Sequence, residues 1–268
     1  VMLLRVNQMK RTHILQIAIN KIQGKSYLEV GVQRGNVFLP IRAMRKVAVD
    51  PKFEIPFRKK LTWIRKIPSN LFARYYEVTS DRFFSRIIGK QKFDVIFIDG
   101  LHTYRQSLQD VVNALRCLNQ GGVIVLHDCN PLSEACAYPG QSPEEVERKE
   151  IPGWDGRWSG DVWKTIVYLR SFHSDLEVFV LDMDTGLGII KIGNNDELLD
   201  LSLEDVEMLT YRDLAGQRAQ LLNLKDLEYF RQSLNLTHQD IQEGTLEIDQ
   251  RLRKPTSPGG GGCQEKRG

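Results

Sequence analysis

Residues Phe93–Asn130 read FDVIFIDGLHTYRQSLQDVVNALRCLNQGGVIVLHDCN. Two apolar, β-branched runs, DVIFID and GVIVLHD, each close on an acidic residue, and a stretch of helical periodicity separates them. Strand–helix–strand with continuous apolar strands is the pattern of a parallel sheet buried on both faces. Ligands of such sheets sit at the carboxyl ends of the strands. Asp99, His102, His127, Asp128 and Asn130 are therefore expected to converge on one crevice. Upstream, Ser26–Gly35 (SYLEVGVQRG) has the strand and glycine turn of a nucleotide-type site.

Working outward, the spacing predicts a helix over 8–23, strands at Ser26–Val30 and Lys46–Val49, and a helix from the glycine turn to Met44. A third strand is expected at Arg74–Val78, then a short helix over 81–88 capped by Ser80 or Asp81. The fourth strand is Asp94–Ile98, the next helix Thr103–Leu118 stopped by Gly121–Gly122, and the fifth strand Gly122–Leu126. Residues 131–159 are rich in Pro, Gly and charge and read as a lid or substrate loop. A helix over Asp161–Ser171, with Asp161 as its cap, leads to a hairpin of Leu176–Asp182 and Gly186–Ile192. Asp182 and Asp184 read as turn residues, and Trp154 and Trp158 as an apolar wall or loop pins. The fold class is α/β, Rossmann-like and mostly parallel. The expected division is 1–195 as the main domain, 196–250 as an acidic helical extension, and 251–268 as a disordered tail.

The chain has 268 residues, a net charge of +3, 41% hydrophobic and 26% charged residues. That is the balance of a soluble globular protein with a full core. Arg42–Lys66 carries nine Lys/Arg against Asp50 and Glu54, and 196–249 carries thirteen acids against four bases. The basic run reads as a solvated face or an attractor of anions; without aromatic–basic interleaving it gives no case for nucleic acid. Cys117, Cys129, Cys136 and Cys263 have no metal-knuckle spacing, so a reduced, cytoplasmic setting is the default. No apolar run approaches the roughly 18 residues that span a membrane, and Val1–Arg11 has too short an apolar core for a secretory signal.

Taken in order, LEVGVQRG, AVDPKF, DVIFIDGLHTY, GGVIVLHDCNP and DMDTGLGII, over about residues 24–193, resemble the class I S-adenosylmethionine-dependent methyltransferases. The likeness is to the small-molecule O-methyltransferase branch, which includes metal-assisted sugar and catechol-type enzymes. It implies a sheet of order 3-2-1-4-5-7-6 with strand seven antiparallel. It also implies that Glu29 meets the cofactor's methionine end, that Gly31 and Gly35 shape the cofactor turn, that Asp50 takes the ribose, and that Ser80 and Asp81 lie by the adenine. Gln33 stands where the family commonly has another glycine, so a glycine turn of a different Rossmann-like fold also fits that motif alone. A dehydrogenase fits less well, because G-x-G-x-x-G spacing is missing.

The same resemblance makes Asp99 a ligand of a divalent cation, Mg²⁺ or Mn²⁺, and His102 the catalytic base. Asp128 joins as ligand, with His127 or Asn130 completing the set, although His-Asp-Cys-Asn departs from the acid–acid or Asp–Asn pair of such relatives. The chemistry explains the need. An alcohol is a poor nucleophile until it loses its proton, which a metal or a neutral histidine promotes. The bland alternatives make Asp50 and Asp99 turn or cap residues and His102 a polar turn residue. The expected partner is a small-molecule acceptor, with no nucleic acid and no membrane, and self-association is left open. Three other readings remain: a metal-independent N- or carboxyl-methyltransferase, a non-catalytic module keeping the fold, and RNA methylation.

Overall fold

The computed structural model describes residues 9–195 and 197–253; the tail beyond them, and most of the N-terminal stretch read for a signal, lie outside the described residues. Helix α1 (Arg11–Lys21) precedes β1 (Ser26–Val30) and β2 (Arg45–Asp50). Then come α2 (Phe57–Lys66), a 3-10 turn (Pro68–Phe72), β3 (Arg74–Glu77), α3 (Ser80–Arg82, continued by one π turn), β4 (Phe93–Ile98) and α4 (Tyr104–Arg116). β5 (Leu118–Leu126), α5 (Pro143–Glu147), α6 (Trp163–Phe172), β6 (Leu176–Leu181) and β7 (Leu187–Ile192) follow. The remainder is α7 (Leu203–Met208), α8 (Tyr211–Leu222), β8 (Leu224–Lys225), α9 (Leu227–Ser233) and α10 (His238–Leu252).

The sheet order is β3-β2-β1-β4-β5-β7-β6-β8. β7 runs antiparallel to both β5 and β6, and the remaining pairs are parallel. The seven-strand order implied by the resemblance is present, with β8 as an eighth strand that the sequence reading missed. β8 has only two residues, too short to show a period of two.

Each face of the sheet carries its own apolar layer. Ile96 and Ile98 pack with Tyr104, Val111, Trp163 and Leu214 on one side. Val95 and Phe97 pack with Ile14, Ile17, Phe38 and Phe230 on the other. This is the alternation of a strand buried on both faces. Phe93 joins the Ile96 side because the β4–β5 register shifts between Phe93 and Val95. Gly121 and Gly122 belong to that irregular stretch of β5 and do not end α4, which stops at Arg116. A Cβ on Gly122 would stand 2.8 Å from the Asp94 carbonyl oxygen.

The helix expected between the glycine turn and Met44 is replaced by a chain of turns over 33–40. Gln33 and Gly35 both have positive φ, 42° and 66°, and Pro40 has no N–H to continue a ladder. The carbonyls this exposes are taken up from below. The buried Lys46 ammonium donates to the carbonyls of Phe38 and Ile41 and to Asn70 Oδ1, and Asn70 Nδ2 donates to Leu39 and Trp63. Burial pushes the Lys46 pKa down to about 7. Two other caps differ from expectation. Thr79, not Ser80 or Asp81, caps α3. Asp161 does not cap α6; its Oδ1 accepts the Tyr104 N–H at 2.6 Å and so closes the start of α4.

Asn70→Ala is expected to lower unfolding stability by about 2–3 kcal/mol. It strips a buried ammonium of one acceptor and the Leu39 carbonyl of its side-chain donor, while the Trp63 carbonyl keeps the Ile67 N–H. Urea denaturation measures this, and a change under half a kcal/mol would refute the Lys46–Asn70 account of the turn.

Candidate active site

Strand ends, two glycine-assisted close approaches and one hairpin turn build the site. β1 passes into the turn at Gly31 (φ 82°), where a Cβ would stand 1.8 Å from the Asp99 carbonyl oxygen. Only glycine allows the ends of β1 and β4 to lie this close. The 131–159 segment lies on the β4–α4 turn through Gly160, where a Cβ would meet the His102 carbonyl oxygen at 1.9 Å. The β6–β7 turn docks on the end of β5, the Asn130 N–H donating to Thr185 O at 2.7 Å and the Cys129 N–H to Gly186 O at 3.1 Å.

These elements enclose a cleft of about 780 Å³ lined by Glu29, Gly31, Asp50, Ser80, Asp81, Asp99, His102, His127 and Asp128. Gly35 is not among its lining residues; it sits against Ile55 and Leu39 and serves the turn's packing. Glu29 is buried and accepts a short hydrogen bond from the Tyr27 hydroxyl. Burial raises its pKa to about 8, with Lys46 and the Tyr27 bond opposing. Asp50 is turned toward the glycine loop. Its Oδ2 accepts the N–H groups of Val32 (2.8 Å) and Gln33 (2.7 Å), and its Oδ1 that of Lys52 (2.7 Å). Gln106 bridges Ser80 Oγ, Asp81 Oδ1 and Asp110 Oδ1 at 3.1–3.3 Å.

At the other end of the cleft, Asp128 lies in the left-handed region (φ 62°) just beyond β5. Its Oδ1 accepts from Ser159 and Thr185 hydroxyls, both at 2.8 Å. Its Oδ2 faces His127 Nδ1 at 2.8 Å and His102 Nε2 at 3.3 Å. Asp99 Oδ1 lies 3.4 Å from His102 Nε2 and 3.2 Å from His127 Nδ1. His102 stacks on Trp158, and its Nδ1 donates to the Trp158 carbonyl at 2.9 Å. Burial alone raises Asp99 and Asp128; the neighbouring imidazoles outweigh it and hold both below the usual carboxylate range.

Asp99, His102 and Asp128 thus offer three donor atoms within 4.8 Å of one another. His102, expected outside the ligand set, is in the group. Asn130 is not. Its side chain is held by Asp182 (3.1 Å) and by Arg218, away from the cleft, because the docked hairpin turn claims its side of β5. His127 sits beside both carboxylates, but its Nε2 accepts from Arg11 Nη1 at 2.5 Å.

Arg11 was missed by the sequence reading. It also reaches Asp99 Oδ2 at 3.2 Å and Asp184 Oδ2 at 3.3 Å. Asp184 and Thr185, read as turn residues, border the same cluster. No local signal marks any of the three: one arginine at the start of a helix and two residues of a turn acquire meaning only when packed. Trp158 lines the cleft as expected of a wall; Trp154 does not. Cys129 is buried, its thiol donating to the Leu126 carbonyl.

Residues 28–129 match a family model described as a methyltransferase domain. Over that stretch the chain is similar to methyltransferase domains, and its sheet has the order that the resemblance to the class I S-adenosylmethionine-dependent methyltransferases implies. No curated protein matches it in sequence. Among solved structures it is similar to an SAH-bound methyltransferase from Podospora anserina, at 16% identity, 67% of this chain and 76% of that one, and a TM-score of 0.48. It is also similar to an O-methyltransferase from Bacillus cereus in complex with SAH, at 16% identity, 70% and 83% coverage, and 0.43. A third is a SAM-bound Streptomyces achromogenes O-methyltransferase involved in tomaymycin synthesis, at 14% identity, 69% and 80% coverage, and 0.45. Among the described residues, no helix is long and apolar enough to cross a membrane.

Gly160→Ala is expected to unseat the 131–159 segment from the His102 turn. Amide exchange around 102–104 and 158–162 should speed up about tenfold or more, with β1 and β2 unchanged. Unaltered exchange in both places would show that this close approach does not hold the segment.

Proposed function

We propose that this methyltransferase transfers a methyl group from S-adenosylmethionine to a hydroxyl of a small molecule such as a sugar, a glycoside or another natural product. One observation carries the reading. With the His102 Nδ1 proton given to the Trp158 carbonyl, the Nε2 lone pair points at two carboxylate oxygens, 3.4 and 3.3 Å away. Three lone-pair atoms facing one another call for a shared cation, and a proton taken from an acceptor hydroxyl is one such cation. Asp99 and Asp128 stabilise the imidazolium that forms, as the carboxylate does in a histidine–aspartate pair. Burial works against that charge, but the two carboxylates outweigh it and raise the His102 pKa.

The cofactor lies, in this reading, along the other end of the cleft, with Glu29 at its ammonium, Asp50 at its ribose, and Ser80 and Asp81 at its adenine. Gly31 lets the chain turn between Glu29 and Asp50. The 131–159 segment closes over the acceptor with Trp158, and Arg11 fixes Asp99 by occupying its second oxygen.

The same three atoms also fit a divalent cation. Bonds of about 2.1 Å place neighbouring ligand atoms about 3 Å apart, near the separations seen. Two carboxylate oxygens with one imidazole nitrogen favour Mn²⁺ over an all-oxygen Mg²⁺ cage. Bound there, such an ion would lower the pKa of the acceptor hydroxyl. His102 then anchors instead of accepting the proton. Mn²⁺ titration of His102→Ala separates the two: retained binding favours the base, lost binding the ligand.

Under either role, His102→Ala is expected to slow turnover by about 10²–10⁴-fold with cofactor affinity unchanged. A variant with normal turnover on a hydroxylated acceptor would remove His102 from the chemistry. Full activity in EDTA would remove the metal.

Cofactor binding is expected to release a proton below pH 8. Glu29, with its pKa near 8, is protonated in the free protein, and a cationic ammonium favours the carboxylate. Affinity should therefore rise with pH up to about 8, by at most about tenfold per unit, and then level off. Calorimetry in buffers of different ionisation enthalpy measures the proton, and Glu29→Gln should abolish it. No proton release in the parent protein would place the ammonium elsewhere.

A further inference from the structure

Two stretches that the active site leaves unused have opposite chemistry. Ile55–Tyr76 holds six Lys/Arg and no acid, while Gly193–Tyr211 holds six Asp/Glu and no base. In each, the helix turned toward solvent mixes its charge with exposed apolar side chains. α2 buries Trp63, and its opposite side presents Phe57 (74% exposed) and Leu61 with Arg58 and Arg65. The 3-10 turn packed on α2 adds Leu71 and Phe72, the latter 76% exposed. α7 buries Val206, and its opposite side presents Met208 (77% exposed) and Glu204, flanked by Leu203 and Glu207. Singly exposed apolar residues are ordinary, but clustered ones rimmed by polar and charged side chains mark contact surfaces, and here, among the described residues, Glu204 stays free for contact while Glu207 also meets Arg105 at 3.8 Å.

The two patches lie at opposite ends of the molecule. Lys60 packs over the Tyr75 ring, so α2 lies along β3, one edge of the sheet. α7 packs on α6, which lies on β6 toward the other edge. One chain therefore cannot bring its own patches together. A two-fold contact of the basic patch with itself would set Arg58 and Arg65 against their own copies.

We infer that the α2 face of one copy docks on the α7 face of a second copy, head to tail. Apolar contact among Phe57, Leu61, Leu203 and Met208 supplies adhesion, and the arginines opposite Glu204 and Glu207 supply register. Such a heterologous contact grows into a ring or a short chain, since each docked pair leaves one face of each kind free. A nucleic acid stacked on Phe57 and Phe72 would leave Leu61, Leu71 and the whole acidic patch unexplained. A membrane would leave the acidic patch unexplained.

Sedimentation velocity on the full chain tests this. The expected result is association that rises with protein concentration and weakens about tenfold or more from low to high salt as charges are screened. Arg58→Glu with Arg65→Glu, and separately Glu204→Lys with Glu207→Lys, should each give monomers. Mixing the two variants should restore association, because each keeps the face the other has reversed. Restoration also shows that both are folded. A monomeric parent at high concentration and low salt would overturn the inference, as would association indifferent to both variants or a mixture that stays monomeric. Binding of a monomeric parent to phosphatidylglycerol vesicles or single-stranded RNA through the α2 face would overturn it in favour of that partner.

Discussion

The carboxylate of Asp128 holds the site together. Its three donors come from three places, Ser159 from the long segment after β5, Thr185 from the β6–β7 turn and His127 from the end of β5, and His102 Nε2 faces it from the β4–α4 turn. A buried carboxylate is costly unless it is well supplied with donors. Here the donors are parts of separate elements, so satisfying one charge fixes the relative placement of all of them. The left-handed backbone at Asp128 is local strain that these bonds over-determine, a usual mark of a functional position.

Close backbone approach does the rest. Gly31 lets the β1 turn touch the Asp99 carbonyl, Gly160 lets the 131–159 segment touch the His102 carbonyl, and a Cβ on Gly186 would stand 2.4 Å from Asn130. Each of these glycines stands beside a residue of the site or its immediate neighbour. They serve the meeting of protein with protein, and Gly31 borders the cleft as well. The Lys46–Asn70 pair plays a similar part under the glycine turn, where hydrogen bonds to stray carbonyls replace the helix that the chain does not form there.

Much was legible because buried parallel strands announce themselves. Runs of Val, Ile and Phe closed by Asp or Glu gave β1, β2, β4 and β5, and the same runs put Glu29, Asp50, Asp99 and Asp128 at the ends that line the cleft. Two helices of ordinary length, α1, buried along 12–19, and α4, with an apolar stripe, lie within a few residues of their expected bounds. The failures were of two kinds. The pair Gly121–Gly122, which reads as a helix stop, lies instead in irregular strand, and Gly35 packs within its turn without lining the cleft. Capping residues were misassigned because Asp161, next to one helix, closes the start of another 57 positions away.

The sequence by itself determined the α/β class, the strand order through its resemblance to a family, and the crevice in which Asp99, His102 and Asp128 meet. It did so because period, turn chemistry and strand ends are local properties. Tertiary structure alone decided which of the neighbouring polar groups share that crevice. Asn130 is drawn off by Asp182 and Arg218, His127 is tied to Arg11, and His102 is turned by Trp158, 56 residues along the chain. Those choices depend on hydrogen-bond partners distant in sequence. A donor's direction is fixed only after the sheet has closed and water has been excluded from around it.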